Sequence, residues 1–383
     1  WKTITFTPSY HDHTVFFDDD GRVYIIWGGG KLRIAELKPD LSGIKEGTER
    51  IFIENASAPS GDNVGLPAEG SQLFKVNGKY YLFNITWPKG GMRTVVIHRA
   101  DHINGPWEGR VALQDKGVAQ GGLIDTPDGR WFAYLFRDNG AVGRIPYLVP
   151  VKWEEGWPVL GIDGKVPERL ELPVSKGLIP GIVASDEFTR KKKEAALPLV
   201  WQWNHNPDNS LWSVSERKGY LRLKTGRVDA DFLSARNTLT QRTVGPVCSG
   251  TTSVDVSNMK EGDFAGLALL QKKYGFVGVK YENGVKKIVM VSAQTDKPEE
   301  VESLPLNQTV IFLKAECDFT DLKDIASFYY SLDGKKWIKI GSQLKMAYTL
   351  PHFMGYRFGL FNYATKAAGG YVDFDYFRIS DKK

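Results

Sequence analysis

The chain has 383 residues, of which 42% are hydrophobic and 25% are charged, and its formal net charge is +5. This length is enough for two domains, and the composition is that of an ordinary globular protein. No run of 18 apolar residues is present, which argues against a membrane span, and the basic residues are scattered apart from Arg190-Lys191-Lys192-Lys193, which argues against a broad nucleic-acid face.

Three segments of the first half share one pattern: an apolar strand, a turn that ends in glycine, and an aromatic-rich strand. They are DHTVFFDDDGRVYIIW from Asp12, EGSQLFKVNGKYYLFN from Glu69 and QGGLIDTPDGRWFAYLF from Gln120. Asn-Gly in the second segment is among the strongest hairpin signals. Further strands are predicted after each hairpin, in stretches such as KLRIAELK, TVVIHRA and GRIPYLVPVKW. About four strands per repeat predict the blades of a β-propeller.

A polar residue opens each repeat, nine residues before the turn glycine: Asp12, Glu69 and Gln120. The inner strands of a propeller line its central channel, so equivalent positions of successive blades should converge there. Two converging carboxylates indicate acid–base chemistry, and glycoside hydrolysis is a common reaction that uses such a pair. The alternative is that polar residues simply precede strands.

At these residues the sequence resembles glycoside hydrolase family 43, the five-bladed propeller enzymes that include β-xylosidases and α-L-arabinofuranosidases. The stretches that carry the resemblance are HDHTVFFDDDGRVYIIWG, AEGSQLFKVNGKYYLF, ADHINGPWEGR, GGLIDTPDGRWFAYLF and GRIPYLVPVKWEEGWPVLG. In the second half SDEF, WQWNHNPDNSLWSV, GYLRLKT and DFDYFRIS are similar to the concanavalin-like β-sandwich that follows the propeller in the xylosidase branch.

The resemblance implies an all-β chain with two domains. Residues 1–170 are expected to hold about three of the five propeller blades, residues 171–184 to form a linker, and residues 185–383 to form a jelly-roll β-sandwich of the concanavalin type. The remaining blades are expected upstream of Trp1 or on a separate piece of chain, as the partner that completes the propeller.

The family's inverting mechanism uses three acids, and the resemblance assigns two of them here. Glu69 falls on the general acid, and Asp12 falls on the acid that orients and modulates it. The general base is an Asp of the first blade, and no counterpart precedes Asp12 in this sequence, so the base is expected outside this chain.

Other residues are candidates for contact with the sugar. Many family members carry a His beside a metal or water at the position of Gln120, so a central calcium is left open here. Arg137 and Arg144 are both candidates for an Arg that the family places near the substrate hydroxyls. His11 and His13 flank Asp12 and are expected, in a strand, to point to the opposite face. Sugar contact or packing is favoured for them over a metal pair.

Two further sets complete the candidates. Trp27 and Trp87 lie near blade ends and are expected either to stack on a sugar or to pack in the core. Asp186 with Asp373 or Asp375 could hold a structural calcium, because clustered carboxylates suit a hard cation. No cofactor is expected to be required.

The predicted function is that of an inverting exo-glycosidase that removes terminal β-1,4-xylosyl or α-L-arabinofuranosyl residues from xylan-type polysaccharides and oligosaccharides. The alternatives are a fructan hydrolase, which has the same two architectures, and a catalytically silent lectin-like protein. Cys248 and Cys317 form neither a disulfide framework nor a zinc spacing, so the compartment stays open between secreted, periplasmic and cytoplasmic.

Overall fold

The computed structural model describes residues 10–172, 181–191, 196–295, 297–349 and 354–382. Within these residues the chain is built from strands, with four short 3-10 turns and no longer helix: Ala58–Ser60, Gly140–Val142, Phe232–Ser234 and Thr320–Leu322. No helix of the described part is long and apolar enough to cross a membrane. The all-β prediction is confirmed.

The chain divides into two compact units. The first contains Trp1–Asp138 and Ile145–Leu172, and the second contains Asn139–Arg144 and Pro173–Lys383. Asn139–Arg144 comes from the first half of the sequence but belongs to the second unit. A backbone hydrogen bond ties it to that unit, because Tyr356 N–H donates to the carbonyl of Ala141 at 2.9 Å. Residues 173–180 of the predicted linker lie outside the described residues, so the linker and its bounds stay a prediction.

The described part of the first unit forms three four-stranded sheets in which consecutive strands are neighbours. The first sheet contains β1 (Thr14–Phe17), β2 (Val23–Gly29), β3 (Lys31–Glu36) and β4 (Arg50–Ile53). The second contains β5 (Val64–Val76), β6 (Lys79–Pro88), β7 (Thr94–Ala100) and β8 (Glu108–Leu113). The third contains β9 (Ala119–Asp125), β10 (Trp131–Asp138), β11 (Arg144–Glu154) and β12 (Trp157–Leu160). These are the three blades that the sequence repeats predict.

Each blade opens on the hairpin that its turn residues predict. In the second blade Val76 pairs with Lys79, so only Asn77 and Gly78 form the loop, with φ of +49° and +78°. Two consecutive residues of positive φ define the turn that matches the right-handed twist of the strands, and Asn-Gly adopts it at low cost.

Neighbouring blades share a core and a buried ion pair. Phe16 of the first blade packs in one cluster with Leu73 and Leu82 of the second. Asp18, which follows β1, accepts hydrogen bonds from Tyr80 Oη at 2.6 Å and Lys75 Nζ at 2.7 Å. The Asp18 side chain is 1% exposed, so these partners offset the cost of burying its charge. The first residue of the DDDG turn is therefore a structural link between blades.

The described part of the second unit is a sandwich of two seven-stranded sheets. Its strands are β13 (Gln202–Trp203), β14 (Trp212–Ser213), β15 (Leu221–Lys224), β16 (Leu239–Arg242), β17 (Val247–Asp255), β18 (Asp263–Leu270), β19 (Gly275–Glu282), β20 (Val285–Ser292), β21 (Glu299–Pro305), β22 (Val310–Asp318), β23 (Ile325–Ser331), β24 (Ile338–Lys345), β25 (Arg357–Ala364) and β26 (Tyr371–Ser380). One sheet has the order β13, β16, β25, β18, β19, β20, β21, and the other has the order β14, β15, β26, β17, β22, β23, β24. The inner faces enclose one large core, in which Leu267 and Val277 of one sheet meet Leu313 and Phe374 of the other.

Candidate active site

Three polar side chains from two blades meet in the first unit. His11 Nε2 lies 2.9 Å from Glu69 Oε2 and 3.9 Å from Asp12 Oδ2. Among the described residues this is the one group of three or more His, Cys, Asp or Glu residues whose ligand atoms all lie within 4.8 Å of one another. The side chains of Glu69 and Asp12 are 22% and 33% exposed, so both are open to a ligand from solvent.

A β-bulge sets the position of Glu69. Between two paired positions of β5 and β6, Gly70 and Ser71 lie opposite the single residue Asn84. Gly70 adopts φ of +62°, and Asn84 Nδ2 donates to the carbonyl of Glu69 at 3.2 Å and to Ser71 Oγ at 2.9 Å. Because Asn84 is only 1% exposed, the backbone beneath Glu69 is held from inside the blade. Asn84 was not among the predicted site residues, and its signal in the sequence is a polar side chain within an aromatic strand.

The next blade carries the same irregularity at Gln120. Gln120 and Gly121 lie opposite Leu135 alone, with φ of +52° and +152°. The bulge brings the Gln120 side chain against Gly70, where an added Cβ would lie 2.4 Å from Gln120 Nε2. Gly70 therefore leaves room for the Gln120 side chain. Gln120 thus lies against the residue that follows Glu69, and its role at the site stays a prediction.

Asp12 and His11 lie in a turn, before the first strand begins at Thr14. Asp12 has φ of +46°, and the carbonyl of His11 accepts from Gly28 N–H at 3.0 Å. The expectation that the histidines point away from Asp12 assumed strand alternation and is wrong for His11. The turn places its ring within hydrogen-bond distance of Glu69 instead.

The hydrogen bond to Glu69 is the largest influence on the charge of His11. It raises the pKa of His11 above the ordinary 6.5, the negative charges of Asp12 and Glu69 add to this, and partial burial opposes it. His11 therefore stays cationic to a higher pH than a free imidazole does. Its ring lies beside the carboxylates of Asp12 and Glu69. The arrangement can position a carboxyl group and exchange a proton with it.

Two family models match this chain. Residues 1–158 match the family model described as Glycosyl hydrolases family 43, and residues 185–380 match the model described as Beta xylosidase C-terminal Concanavalin A-like domain. The chain belongs to glycoside hydrolase family 43. The five-bladed propeller class, the sandwich and the family are thus as predicted from the sequence.

Three relatives show how far the similarity extends. A solved structure of a bifunctional GH43-CE protein from Bacteroides eggerthii is 70% identical, with a TM-score of 0.97, over 100% of this chain and 50% of that one. A solved, engineered GH43 glycoside hydrolase with endo-xylanase and exo-arabinofuranosidase activity is 30% identical, with a TM-score of 0.80, over 97% of this chain and 74% of that one. A putative β-xylosidase from Xylanibacter ruminicola is 32% identical over 88% of this chain and 62% of that protein. The chain thus spans about half of the first and less than two thirds of the last.

Not every residue expected at the family 43 site reaches the cluster. Trp27 is 7% exposed and packs edge-to-face on Tyr10 at 4.5 Å, so it is a core residue and not a sugar platform. His13 Nδ1 lies 3.1 Å from the carbonyl of Tyr10. Trp87 is 43% exposed, but the Arg93 guanidinium lies 5.4 Å from its ring centre, so one face is already occupied.

The two arginines considered for substrate contact have different surroundings. Arg137 lies half-buried in β10 and makes no hydrogen bond or ion pair with any residue that the structure describes. Arg144 begins β11 and belongs to the second compact unit, where it lines a pocket with Arg242 and Arg357. Their roles in binding stay predictions.

The structure does not assemble the proposed calcium ligands. Asp186 accepts two hydrogen bonds from the Arg190 guanidinium, and Asp373 accepts from Arg222 through both carboxylate oxygens. Asp375 joins neither of them in a ligand group within the described residues. The acids at Asp186 and Asp373 pair with arginines, which supply the positive charge that a calcium ion would bring. The expectation that no cofactor is required, with a structural calcium left open, stays a prediction.

The hydrogen bond between His11 and Glu69 gives a prediction. Glu69→Gln removes the negative charge and leaves a weaker acceptor, so the pKa of His11 should fall toward 6.5. The measurement is the NMR titration of the His11 ring, assigned by loss of its signal in His11→Asn. Glu49→Gln is the matched control, because Glu49 pairs with Arg33 at 3.0 Å and not with His11. An unchanged titration in Glu69→Gln would show that the pair does not form in solution.

Proposed function

We propose that the protein to which this chain belongs is an inverting exo-glycosidase. Its substrates are the terminal β-1,4-xylosyl or α-L-arabinofuranosyl residues of xylan-type polysaccharides and oligosaccharides. The observation that carries the proposal is the convergence of Asp12 and Glu69, from equivalent positions of adjacent blades, in a chain of family 43. The substrate class is supported by the relatives, one a putative β-xylosidase and another with exo-arabinofuranosidase activity.

In this proposal Glu69 is the general acid that protonates the oxygen of the leaving sugar. Its carboxyl group is partly exposed. Glu69 lies next to the bulge in β5, and its backbone carbonyl accepts a hydrogen bond from Asn84. Asp12 orients it and, with His11, sets the charge around it. Gln120 lies beside Glu69, with a carbonyl and an amide that suit sugar hydroxyls.

Asp12 does not suit the role of general base. An inverting reaction keeps its two carboxyl groups roughly 6.5–9.5 Å apart, so that a water fits between the base and the sugar. Asp12 and Glu69 offer oxygens within 4.8 Å of each other, which leaves no such room. The base is therefore proposed to be an Asp other than Asp12.

The stereochemistry of the product tests the proposal. The full-length protein should hydrolyse aryl β-xylosides or aryl α-L-arabinofuranosides, and proton NMR before mutarotation should show a first-formed sugar of inverted anomeric configuration. First-formed product of retained configuration would contradict the inverting assignment and would make Asp12 a candidate nucleophile, because retaining enzymes hold their carboxyl groups closer together.

Two further assays of the full-length protein, on fructans and on binding of xylo-oligosaccharides, separate the two alternatives. Release of fructose from fructans, with no release of pentose, would favour the fructan hydrolase. Binding of xylo-oligosaccharides without hydrolysis by the full-length protein would favour the lectin-like protein.

A further inference from the structure

Two arginines of the second unit lie opposite each other without an acid between them. Arg242 ends β16, Arg357 begins β25, and the two are direct cross-strand partners in the antiparallel ladder. Such partners project from the same face of a sheet, and like charges placed in this way destabilise it. Neither arginine has an ion-pair partner among the residues that the structure describes.

The buried member of the pair is Arg357. It is 7% exposed, and its Nε donates to Thr240 Oγ1 at 2.8 Å. That is the one hydrogen bond its guanidinium makes within the described part of the chain, so the terminal nitrogens have donors to offer. Burial, with the charge of Arg242 added, lowers the pKa of Arg357 to about 10, which still leaves it cationic at neutral pH. A buried cation without a counter-ion is costly unless something supplies one.

Both arginines face a pocket that a counter-ion could enter. Its volume is about 170 Å³, and Arg144 and Met354 also line it. This is room for several water molecules, and so for a small ligand group. No carboxylate is among the described residues that line it. Arg242 and Arg357 therefore bring two positive charges without an ion-pair partner among the described residues to a pocket that a ligand can enter.

We infer that this pocket is an anion site that binds a sugar carboxylate, the group that a uronic acid substituent of a xylan-type chain presents. Guanidinium groups bind carboxylates through two parallel hydrogen bonds, and an anion here would both satisfy Arg357 and neutralise its repulsion with Arg242. The choice of a sugar as the carrier of the anion rests on the proposed function. The need for an anion rests on the two arginines alone.

Calorimetric titration of the chain with three probes tests the site: methyl β-D-glucuronide, the neutral methyl β-D-glucoside and inorganic phosphate. The glucuronide is expected to bind and to raise the thermal midpoint, whereas the glucoside is expected to do neither. Binding of phosphate without binding of the glucuronide would overturn the assignment to a sugar carboxylate. Binding of neither anion, or equal binding of glucoside and glucuronide, would overturn the site.

Substitution of Arg242, which is exposed, gives a second test that leaves the buried Arg357 unchanged. Arg242→Gln should weaken glucuronide binding by about 10- to 100-fold, the loss expected for a charge-assisted hydrogen bond. It should also raise the thermal midpoint of the ligand-free protein, because it removes the like charge opposite Arg357. Arg236→Gln is the control of equal charge change elsewhere in the sandwich, where Arg236 Nε donates to the carbonyl of Asn206. A lower midpoint for ligand-free Arg242→Gln would show that the pair is already satisfied and would overturn the inference.

Separate measurements test the anion site and the proposed function. Binding is measured without catalysis, and hydrolysis of a neutral aryl xyloside by the full-length protein is measured without an anion. Hydrolysis with no glucuronide binding would remove the anion site alone, and glucuronide binding with no hydrolysis would remove the proposed function alone.

Discussion

Glu69→Gln should slow hydrolysis of a natural xylo- or arabinofuranosyl disaccharide by about 100- to 10,000-fold, the usual contribution of general acid catalysis. The leaving sugar is a poor leaving group and needs a proton as the glycosidic bond breaks, and a glutamine has no acidic proton to give. A 2,4-dinitrophenyl glycoside of the same sugar should be far less affected, because its phenolate leaves without protonation. The measurement is kcat/KM for both substrates with the full-length protein.

The fold should survive this change, which makes the comparison informative. Glu69 is held by its backbone carbonyl, which accepts from Asn84, and not by burial of its side chain. Glu49→Gln, in which an exposed glutamate paired with Arg33 loses the same charge, should leave both rates close to those of the parent protein. Equal slowing of both substrates by Glu69→Gln would mean that Glu69 positions the substrate or another group and does not donate the proton.

The repeats made the blades predictable from the sequence, and with them the position of Gln120 against the Glu69-Gly70 bulge. Strand alternation and turn glycines recur at one spacing, and a propeller places equivalent positions around one axis. The role of His11 was not predictable in this way. Its direction depends on Asp12 adopting a φ of +46° just before β1, and a one-residue change from strand to turn reverses where a side chain points.

Contacts between strands that are far apart in the sequence were also not predictable. The opposition of Arg242 and Arg357 depends on the register of β16 against β25, which no local pattern fixes. Cys248 and Cys317 give a second example, because they are free, buried cross-strand neighbours although they are far apart in the sequence. Trp27 is a third example. Its position near a blade end does not show whether the ring lines a cleft, and in the structure it packs on Tyr10.

The bulge beneath Gln120 predicts the largest effect on stability. In Gly121→Ala the new Cβ would lie 1.8 Å from the carbonyl oxygen of Tyr134 on the neighbouring strand, and Gly121 has a φ of +152° that side chains rarely adopt. Real Cβ atoms do not approach within 3 Å of another heavy atom, so β9 and β10 would have to separate. We expect a loss of more than about 4 kcal/mol in the free energy of unfolding, or no soluble protein.

Gly129→Ala is the control for this prediction, because it makes the same chemical change on the same hairpin. Gly129 has a φ of +80° and no heavy atom within 4 Å of the added Cβ, so only the left-handed backbone penalises alanine, by about 1 kcal/mol. Urea denaturation of both variants measures the difference. If Gly121→Ala is as stable as Gly129→Ala, the strands can re-register around the added methyl group and the bulge is not fixed. Gln120 would then be free to leave the space beside Gly70, and its place next to Glu69 would need another cause.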